Sequence, residues 1–504
     1  MTSPLSRRAP VLEVVVFAVG MASLGAEIAA ARLLAPWFGA STIVWANTIA
    51  TVLVALSVGY ALGGRLADRN PTMAGLSRWA VLAAALLALV PFVSGPLLRQ
   101  STTAFAELSG GLFIGSLLGV GVLIAVPVLV LGIVSPYAVR LKVDEVADAG
   151  KVAGRLYAIG TIGSLTGTFL AALLLIPVVG THRTFLLFAL ALALASLPGL
   201  GRIWLVGAVV AAVIAGLLFV PVGTTKSASS YGKVIWEKET EYQYARVIQR
   251  DDGERLLELN EGLAVHSVYT PGTWLTGGYW DDLTVLPFAA AHQVRKVAIL
   301  GSAAGTTARA IAHYAPDVHV DAVELDPDVT AVGRKLFGLR GANITTHTAD
   351  ARPWLDAQEG RYDAILVDAY RQPYIPFYLA TKEFFAEVRD HLNPGGVVAI
   401  NVGHPETSRK LEQVLTATLA SAFGRSHVLR DRVDDTNTML LGTTGSGADP
   451  AEHLYEAGLP PEAQGVADDV AGKLAPGFRG GKVYTDDKAP VEWLVDLSLA
   501  QVAK

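Results

Sequence analysis

Four short segments between residues 301 and 368 each bring a chemically apt residue to the end of an apolar run. The first is Gly301-Ser302-Ala303-Ala304-Gly305, which follows Lys296-Val297-Ala298-Ile299-Leu300 and precedes a helical pattern over 306–314. A turn of small residues between strand and helix lets a ligand approach the backbone N–H groups at the helix start, and Gly301 and Gly305 bound that turn. The second is Glu324, near the end of the run 319–325. A carboxylate about 20 residues after such a turn can accept both hydroxyls of a ribose. The third is His347-Thr348-Ala349-Asp350-Ala351, where Asp350 can take the amino group of an adenine. The fourth is the run 363–367, which delivers Asp368. Each has a plain structural alternative, since glycine serves turn geometry and an aspartate after a buried strand often caps a turn. Jointly, the four strand ends point to an adenosine-containing ligand.

These residues converge only if the runs are parallel strands of one sheet, because open α/β sheets bind ligands at their carboxyl edge. The alternating strand and helix texture after Pro271 predicts that arrangement, and Asn393-Pro394-Gly395-Gly396 reads as a helix stop and turn before a closing strand through Ile400. Between Tyr231 and Tyr269 the patterning is of a different kind, with turn punctuation at Asp251-Asp252-Gly253, and predicts a small antiparallel sheet.

The N-terminal part has another solvent. Of 504 residues, 52% are hydrophobic and 17% charged, against roughly 25% charged in an ordinary soluble domain. Seven stretches approach the ~20 apolar residues that cross a bilayer: 11–35, 42–63, 75–97, 112–137, 153–178, 184–200 and 203–221. Gly163 and Gly167 carry the spacing of closely packed membrane helices. The segment Gly64-Arg65-Leu66-Ala67-Asp68-Arg69 resembles the short loop signature of major-facilitator transporters. Residues 1–222 hold 13 Lys and Arg against 7 Asp and Glu, while 223–504 hold 27 against 38. That acidic second half argues against nucleic acid as a partner, and zero Cys excludes disulfides and thiolate metal sites. The sequence thus predicts an N-terminal polytopic α-helical membrane domain of about seven helices (1–222), a linker and small antiparallel β-domain (223–275) and an α/β Rossmann-like, S-adenosylmethionine-methyltransferase-like domain (276–504).

Residues 239–496 resemble the spermidine synthase (polyamine aminopropyltransferase) family, and with the helices in front the whole chain resembles its membrane-fused members. Tyr242-Gln243 is similar to the family's Tyr-Gln pair, which implies that Gln243 contacts the nucleoside. Tyr279-Trp280-Asp281 stands at a Tyr-His-Glu step, so Tyr279 and Asp281 carry over as substrate-binding residues. Glu324 corresponds to the ribose-binding acid, Asp350-Ala351 to the adenine-binding pair, and Asp368 to the acid that takes the attacking amine's proton. Thr485-Asp486-Asp487-Lys488-Ala489-Pro490-Val491-Glu492 is similar to a late motif of the fused members, although such acids more often cap or anchor a loop.

Three positions depart from the family's pattern. Ala304 stands where an acid usually precedes the last glycine, Arg371 where the catalytic loop has a second acid, and His266 where a substrate-facing Gln is common. A diamine is a double cation whose burial needs compensating carboxylates, so the nucleoside pocket reads as intact and the amine pocket as rewritten around Arg371, Tyr374 and His266. Tyr370, Tyr374 and Tyr378 flank Pro373 and Pro376 as a gate over it.

The resemblance implies aminopropyl transfer from decarboxylated S-adenosylmethionine, as donor substrate, to a small-molecule amine such as putrescine. It implies no metal, no tightly bound cofactor and a homodimer. Methyl transfer from S-adenosylmethionine itself and a non-catalytic membrane sensor or transporter are the alternatives. The bilayer is the second expected partner. Lys and Arg gather in alternate connections, which places the N-terminus in the cytoplasm. Seven crossings would carry the second half outside, away from an intracellular donor, unless 184–221 forms a hairpin or re-entrant path. The expectation is a multi-pass membrane protein whose soluble half is cytoplasmic.

Overall fold

Long apolar runs leave a backbone no partner but itself in hydrocarbon, so they fold as helices. In the computed structural model the described residues are 9–39, 42–105, 111–143, 145–221, 225–226, 232–260, 262, 264–370, 375–404, 406, 408–432, 436–445 and 449–495. Among them, six helical stretches are long and apolar enough to cross a membrane: Pro10–Phe38, Thr42–Arg69, Met73–Gln100, Ile114–Lys142, Val146–Val179 and Thr181–Gly199. A further apolar helix, Gly201–Leu217, is shorter. The chain divides into two compact units, and the first holds these helices together with Lys238–Tyr244.

Glycine sets how closely the helices approach. A Cβ at Gly163 would lie 2.2 Å from the carbonyl oxygen of Phe17, and one at Gly167 would lie 2.1 Å from that of Met21. Gly59 and Gly63 meet the backbone of Leu129 and Ile133 in the same way, at 2.2 and 2.4 Å. With lipid as apolar as the side chains, such backbone contact supplies the dispersion that holds a membrane bundle together.

The second unit contains two sheets. The smaller is antiparallel and built from β1 (Lys233–Glu239), β2 (Tyr244–Gln249), β3 (Arg255–Leu259) and β4 (Val265–Tyr269), in that order; residues 238–244, around its first turn, are grouped with the helical unit. The larger contains β5 (Lys296–Leu300), β6 (His319–Glu324), β7 (Ile344–Thr348), β8 (Tyr362–Val367), β9 (Leu392–Gly403), β10 (Val428–Arg432), β11 (Asn437–Thr443) and β12 (Ala475–Pro476). Its order is β12-β10-β11-β9-β8-β5-β6-β7. Strands β5 to β9 run parallel, while β11 returns antiparallel beside β9 and β10 beside β11. The chain order reverses between β5 and β8, the position at which open α/β sheets hold ligands. Buried apolar side chains line both faces, with Phe384, Phe385 and Leu415 on one and Leu286, Ile311 and Val470 on the other. This is the Rossmann-like sheet expected from the strand and helix texture.

Gly167→Ala should therefore force two helices apart and cost at least about 1–3 kcal/mol. The same change at Gly64, where a Cβ meets nothing within 4 Å, should gain up to about 1 kcal/mol of helix propensity. Thermal unfolding of both variants in detergent checks this, and equal behaviour would contradict the close-packing account.

Candidate active site

Parallel register brings the ends of β5 and β8 side by side, and the turn after β5 then has almost no room. Gly301 takes φ 90°, and a Cβ there would lie 2.5 Å from the Cα of Ala369 and 2.6 Å from the carbonyl oxygen of Asp368. The N–H groups of Gly301 and Ser302 both donate to Val323 O, at 3.0 and 2.9 Å, while Asp368 N–H donates to Leu300 O at 2.9 Å. Gly305 closes the turn at φ 89°, and a Cβ there would strike Leu339 at 2.4 Å. Only glycine satisfies both positions. Ala303 also holds positive φ, 46°, which an alanine adopts at some cost.

The strained turn is aimed at the end of β6. Ala303 N–H donates to Glu324 Oε2 at 2.9 Å and Asp326 N–H to Oε1 at 3.0 Å. Burial nevertheless pushes the Glu324 carboxyl up to about 7, against those two donors. At the next strand end Asp350 caps the helix Ala351–Asp356 through Arg352 N–H, 3.2 Å away, and its other oxygen accepts from the Tyr378 hydroxyl at 2.8 Å. Ala351 is buried behind it.

Asp368 is the most elaborately held. Asn401 Nδ2 donates to Oδ1 at 2.8 Å and the Tyr279 hydroxyl lies 3.3 Å from Oδ2. Desolvation pushes its carboxyl up to about 7, with both donors pulling the other way. Burial, with Asp368 as the neighbouring charge, raises Tyr279 well above the ordinary phenol value, so Tyr279 keeps its proton and remains a donor. Trp280 stacks on the Tyr279 ring, centroids 4.2 Å apart. Behind Asp368, Asn437 Nδ2 donates to Asn401 Oδ1 at 2.8 Å, and the Tyr370 hydroxyl donates to Asn401 O at 2.9 Å while accepting from Gly403 N–H at 2.7 Å.

Asn401 and Asn437 were not among the residues selected from the sequence. Asn401 is a lone amide in the apolar second half of β9, level with the end of β8. Asn437 opens β11, and because β11 is antiparallel its first residue lands at this same edge, opposite Gly403.

Glu324, Asp350 and Asp368 thus lie at the same edge of the sheet, at the ends of β6, β7 and β8, with Gly301 and Gly305 at the end of β5 between β8 and β6. Tyr279 joins them through Asp368. The Asp281 carboxylate, 7% exposed, turns instead into the preceding loop. It accepts from Thr276 N–H at 2.8 Å, Gly277 N–H at 2.7 Å and the Thr276 hydroxyl at 3.0 Å. His266 is half-buried on β4 beside Ser267, whose hydroxyl accepts from Ala304 N–H at 2.9 Å. Gln243 ends the turn 240–243, where Thr240 N–H donates to its carbonyl at 2.8 Å. Arg371 and Tyr374 lie outside the described residues. In the late motif, Asp486 takes both Arg352 Nη1 and Nη2, at 2.8 and 2.9 Å, and the Thr381 hydroxyl at 2.7 Å, which is the geometry of a loop anchor.

One further acidic pair bears on this site. Asp282, in the same helix as Tyr279, faces Asp431 of β10, and the two are 7% and 0% exposed. Burial and the neighbouring Asp431 raise the Asp282 carboxyl, and burial raises that of Asp431.

Rossmann-like architecture and carboxylates gathered on the carboxyl edge of its parallel strands define the class as an α/β enzyme with its site at the topological switch. A family model described as "Spermine/spermidine synthase domain" matches residues 277–429. A probable polyamine aminopropyl transferase of Bifidobacterium longum is 31% identical over 307 residues, 56% of this chain and 68% of its own. A polyamine aminopropyltransferase of Vibrio vulnificus is 31% identical over 29% of this chain, which spans 49% of that enzyme. Among solved structures, a probable spermidine synthase from Corynebacterium glutamicum aligns over 51% of this chain and 100% of its own, with 20% identity and a TM-score of 0.38. The chain belongs to the spermine/spermidine synthase family and is a transferase.

The raised carboxyls of Asp282 and Asp431 imply a pH dependence. A carboxyl whose pKa is higher folded than unfolded lowers stability as the pH rises from its unfolded value to its folded one. Thermal stability should fall from mildly acidic to mildly alkaline pH, and Asp431→Asn should flatten that fall. Identical slopes in the two proteins would mean that Asp431 does not raise the Asp282 carboxyl.

Proposed function

We propose that the protein transfers an aminopropyl group from decarboxylated S-adenosylmethionine to an amine. The observation that carries this reading is Asp368, a half-buried carboxylate near neutral pKa, oriented by Asn401 and by a tyrosine that stays protonated. An unprotonated amine nitrogen attacks the propyl carbon bonded to the sulfonium. The C–N bond forms as the C–S bond breaks, methylthioadenosine leaves as a neutral thioether, and the proton on the new ammonium passes to Asp368. Glu324 accepts the ribose hydroxyls and Asp350 the adenine amino group, in place of Tyr378. The Gly301–Gly305 turn borders the nucleoside site through its small residues, its own N–H groups being taken by Val323, Glu324, Ser267 and Ser302.

The acceptor side is poorer in acids than the family pattern. Ala304 is fully buried, with its N–H spent on Ser267, and the Asp281 oxygens are occupied by Thr276 and Gly277. A doubly charged diamine then has few carboxylates to compensate its second ammonium, which favours an acceptor other than putrescine. Mass spectrometry of products formed with decarboxylated and ordinary S-adenosylmethionine and a panel of amines tests the whole reading. Methylated products would replace it with methyl transfer.

With the productive pair in hand, Asp368→Asn should abolish turnover and leave nucleoside binding largely intact. Glu324→Ala should instead weaken donor binding by on the order of 1.5–3 kcal/mol, the worth of hydrogen bonds to a charged acceptor. Wild-type turnover should rise as the pH passes about 7, where Asp368 ionises. Near-normal turnover in Asp368→Asn would remove its proton-acceptor role.

We further propose that the catalytic half faces the cytoplasm. Six long helices are an even number, and the helix Trp204–Leu217, 14 residues, reaches only about 21 Å of the ~30 Å hydrocarbon core. It doubles back beside its predecessor, with Gly207 pressed against Leu197 and Leu200. In this Cys-free chain, Ser229→Cys should resist an impermeant maleimide on intact cells and react after permeabilisation. Labelling from outside would reverse the orientation.

A further inference from the structure

The basic loop motif at the end of the second membrane helix has no part in the catalytic reading. The turn that follows is rigidly built. Asn70 N–H donates to Leu66 O at 3.2 Å, Thr72 N–H to Asn70 O at 2.8 Å and Gly75 N–H to the Thr72 hydroxyl at 3.1 Å. The Tyr137 hydroxyl donates to Asn70 O as well, in space that a side chain at position 75 would fill, since a Cβ there would lie 2.2 Å from it. Around this turn lies a cavity of about 380 Å³ whose lining includes Leu66, Arg69, Arg78, Trp79, Leu82 and Tyr137.

Charge at this end of the unit is unbalanced. Asp68 turns away to Arg140, 3.1 Å distant, and Glu13 is held by Lys142 and by Arg155, the latter at 3.0 Å. Among the described residues no carboxylate pairs with Arg69 or Arg78. Both guanidinium groups stand exposed at the rim.

Besides Asn70 and the Tyr137 hydroxyl, the rest of the lining is apolar, and its order along the helices matters. Leu66 lies one turn before Arg69, and Leu82, 43% exposed, lies one turn after Arg78. Each arginine therefore ends an apolar row on its own helix, and the half-buried Trp79 sits where indoles prefer the membrane interface. Two cations above an apolar slot suit a phosphate that carries hydrocarbon. Inorganic phosphate would use the arginines and leave the slot empty. The Lys and Arg pattern puts this turn on the cytoplasmic side, where anionic lipids and basic residues attract each other.

We propose that this cavity binds the phosphate of an anionic phospholipid, with Arg69 and Arg78 on the phosphate oxygens and Leu66, Trp79 and Leu82 along the start of an acyl chain. The inference rests on the helical unit lying in a bilayer and is independent of the catalytic reading.

The test uses the full chain in detergent, with phosphatidylglycerol, phosphatidylcholine and inorganic phosphate as probes. Native mass spectrometry should find phosphatidylglycerol retained about tenfold or more over phosphatidylcholine, and phosphatidylglycerol should raise the unfolding temperature. Arg69→Gln with Arg78→Gln should erase that preference, and Arg69→Lys with Arg78→Lys should keep most of it. Should the double glutamine variant fail to fold, Arg78→Gln alone carries the same comparison. Equal retention of the two lipids, or a preference untouched by the glutamine variants, would overturn the proposal. Stabilisation by inorganic phosphate equal to that by phosphatidylglycerol would assign the site to a soluble anion and overturn the lipid reading.

Discussion

The catalytic unit depends on one close approach, that of the turn after β5 to the end of β8. With Gly301 pressed against the backbone of Asp368 and Ala369, the two central strands cannot slip, because a shift of one residue would drive a side chain into that backbone. Everything chemical is referenced to this contact. It fixes where the turn's N–H groups point, it places Ala303 against Glu324, and it holds the Asp368 backbone while Asn401 and Tyr279 aim the side chain. A rigid backbone junction with adjustable side chains around it is what preorganised positioning requires.

How much of this could be read from residues alone varies with the kind of information. Glu324, Asp350 and Asp368 were legible because each is a carboxylate at the end of a parallel strand, and parallel strands deliver their ends to one edge. Asn401 and Asn437 were not, since an amide inside an apolar run looks like an interruption until β11 is known to run antiparallel and to begin at the same edge. Direction was likewise hidden at Asp281. Its position beside Tyr279 was readable, while the turn of its carboxylate into the Thr276-Gly277 backbone depends on a loop closure that no spacing encodes. Among the described residues, six helices long and apolar enough to cross a membrane were legible from length and hydropathy, and the Gly163–Gly167 stripe from its spacing. Which helix it packs against, through Phe17 and Met21, required the assembled bundle.

The two halves use the same means to different ends. In the helical unit, glycine lets the backbones of neighbouring helices meet. In the catalytic unit, glycine lets a turn and a strand end meet so that polar groups can be set against one another. Burial is then spent differently, on dispersion in the first unit and on raised carboxyl pKa values in the second.

The hydroxyl of Tyr378 on Asp350 has an energetic consequence of its own. An empty carboxylate at that strand end would greet an incoming amino group with an unanswered charge, and the new hydrogen bond would add to affinity. On the reading proposed above, an amino group that displaced this donor would exchange one bond for another, and the net gain would be small. Such a contact discriminates among nucleobases, because one that cannot donate leaves the displaced site unsatisfied, yet it does little to hold the correct one once chemistry is done. On the reading proposed above, it sharpens selection while leaving the spent nucleoside free to depart.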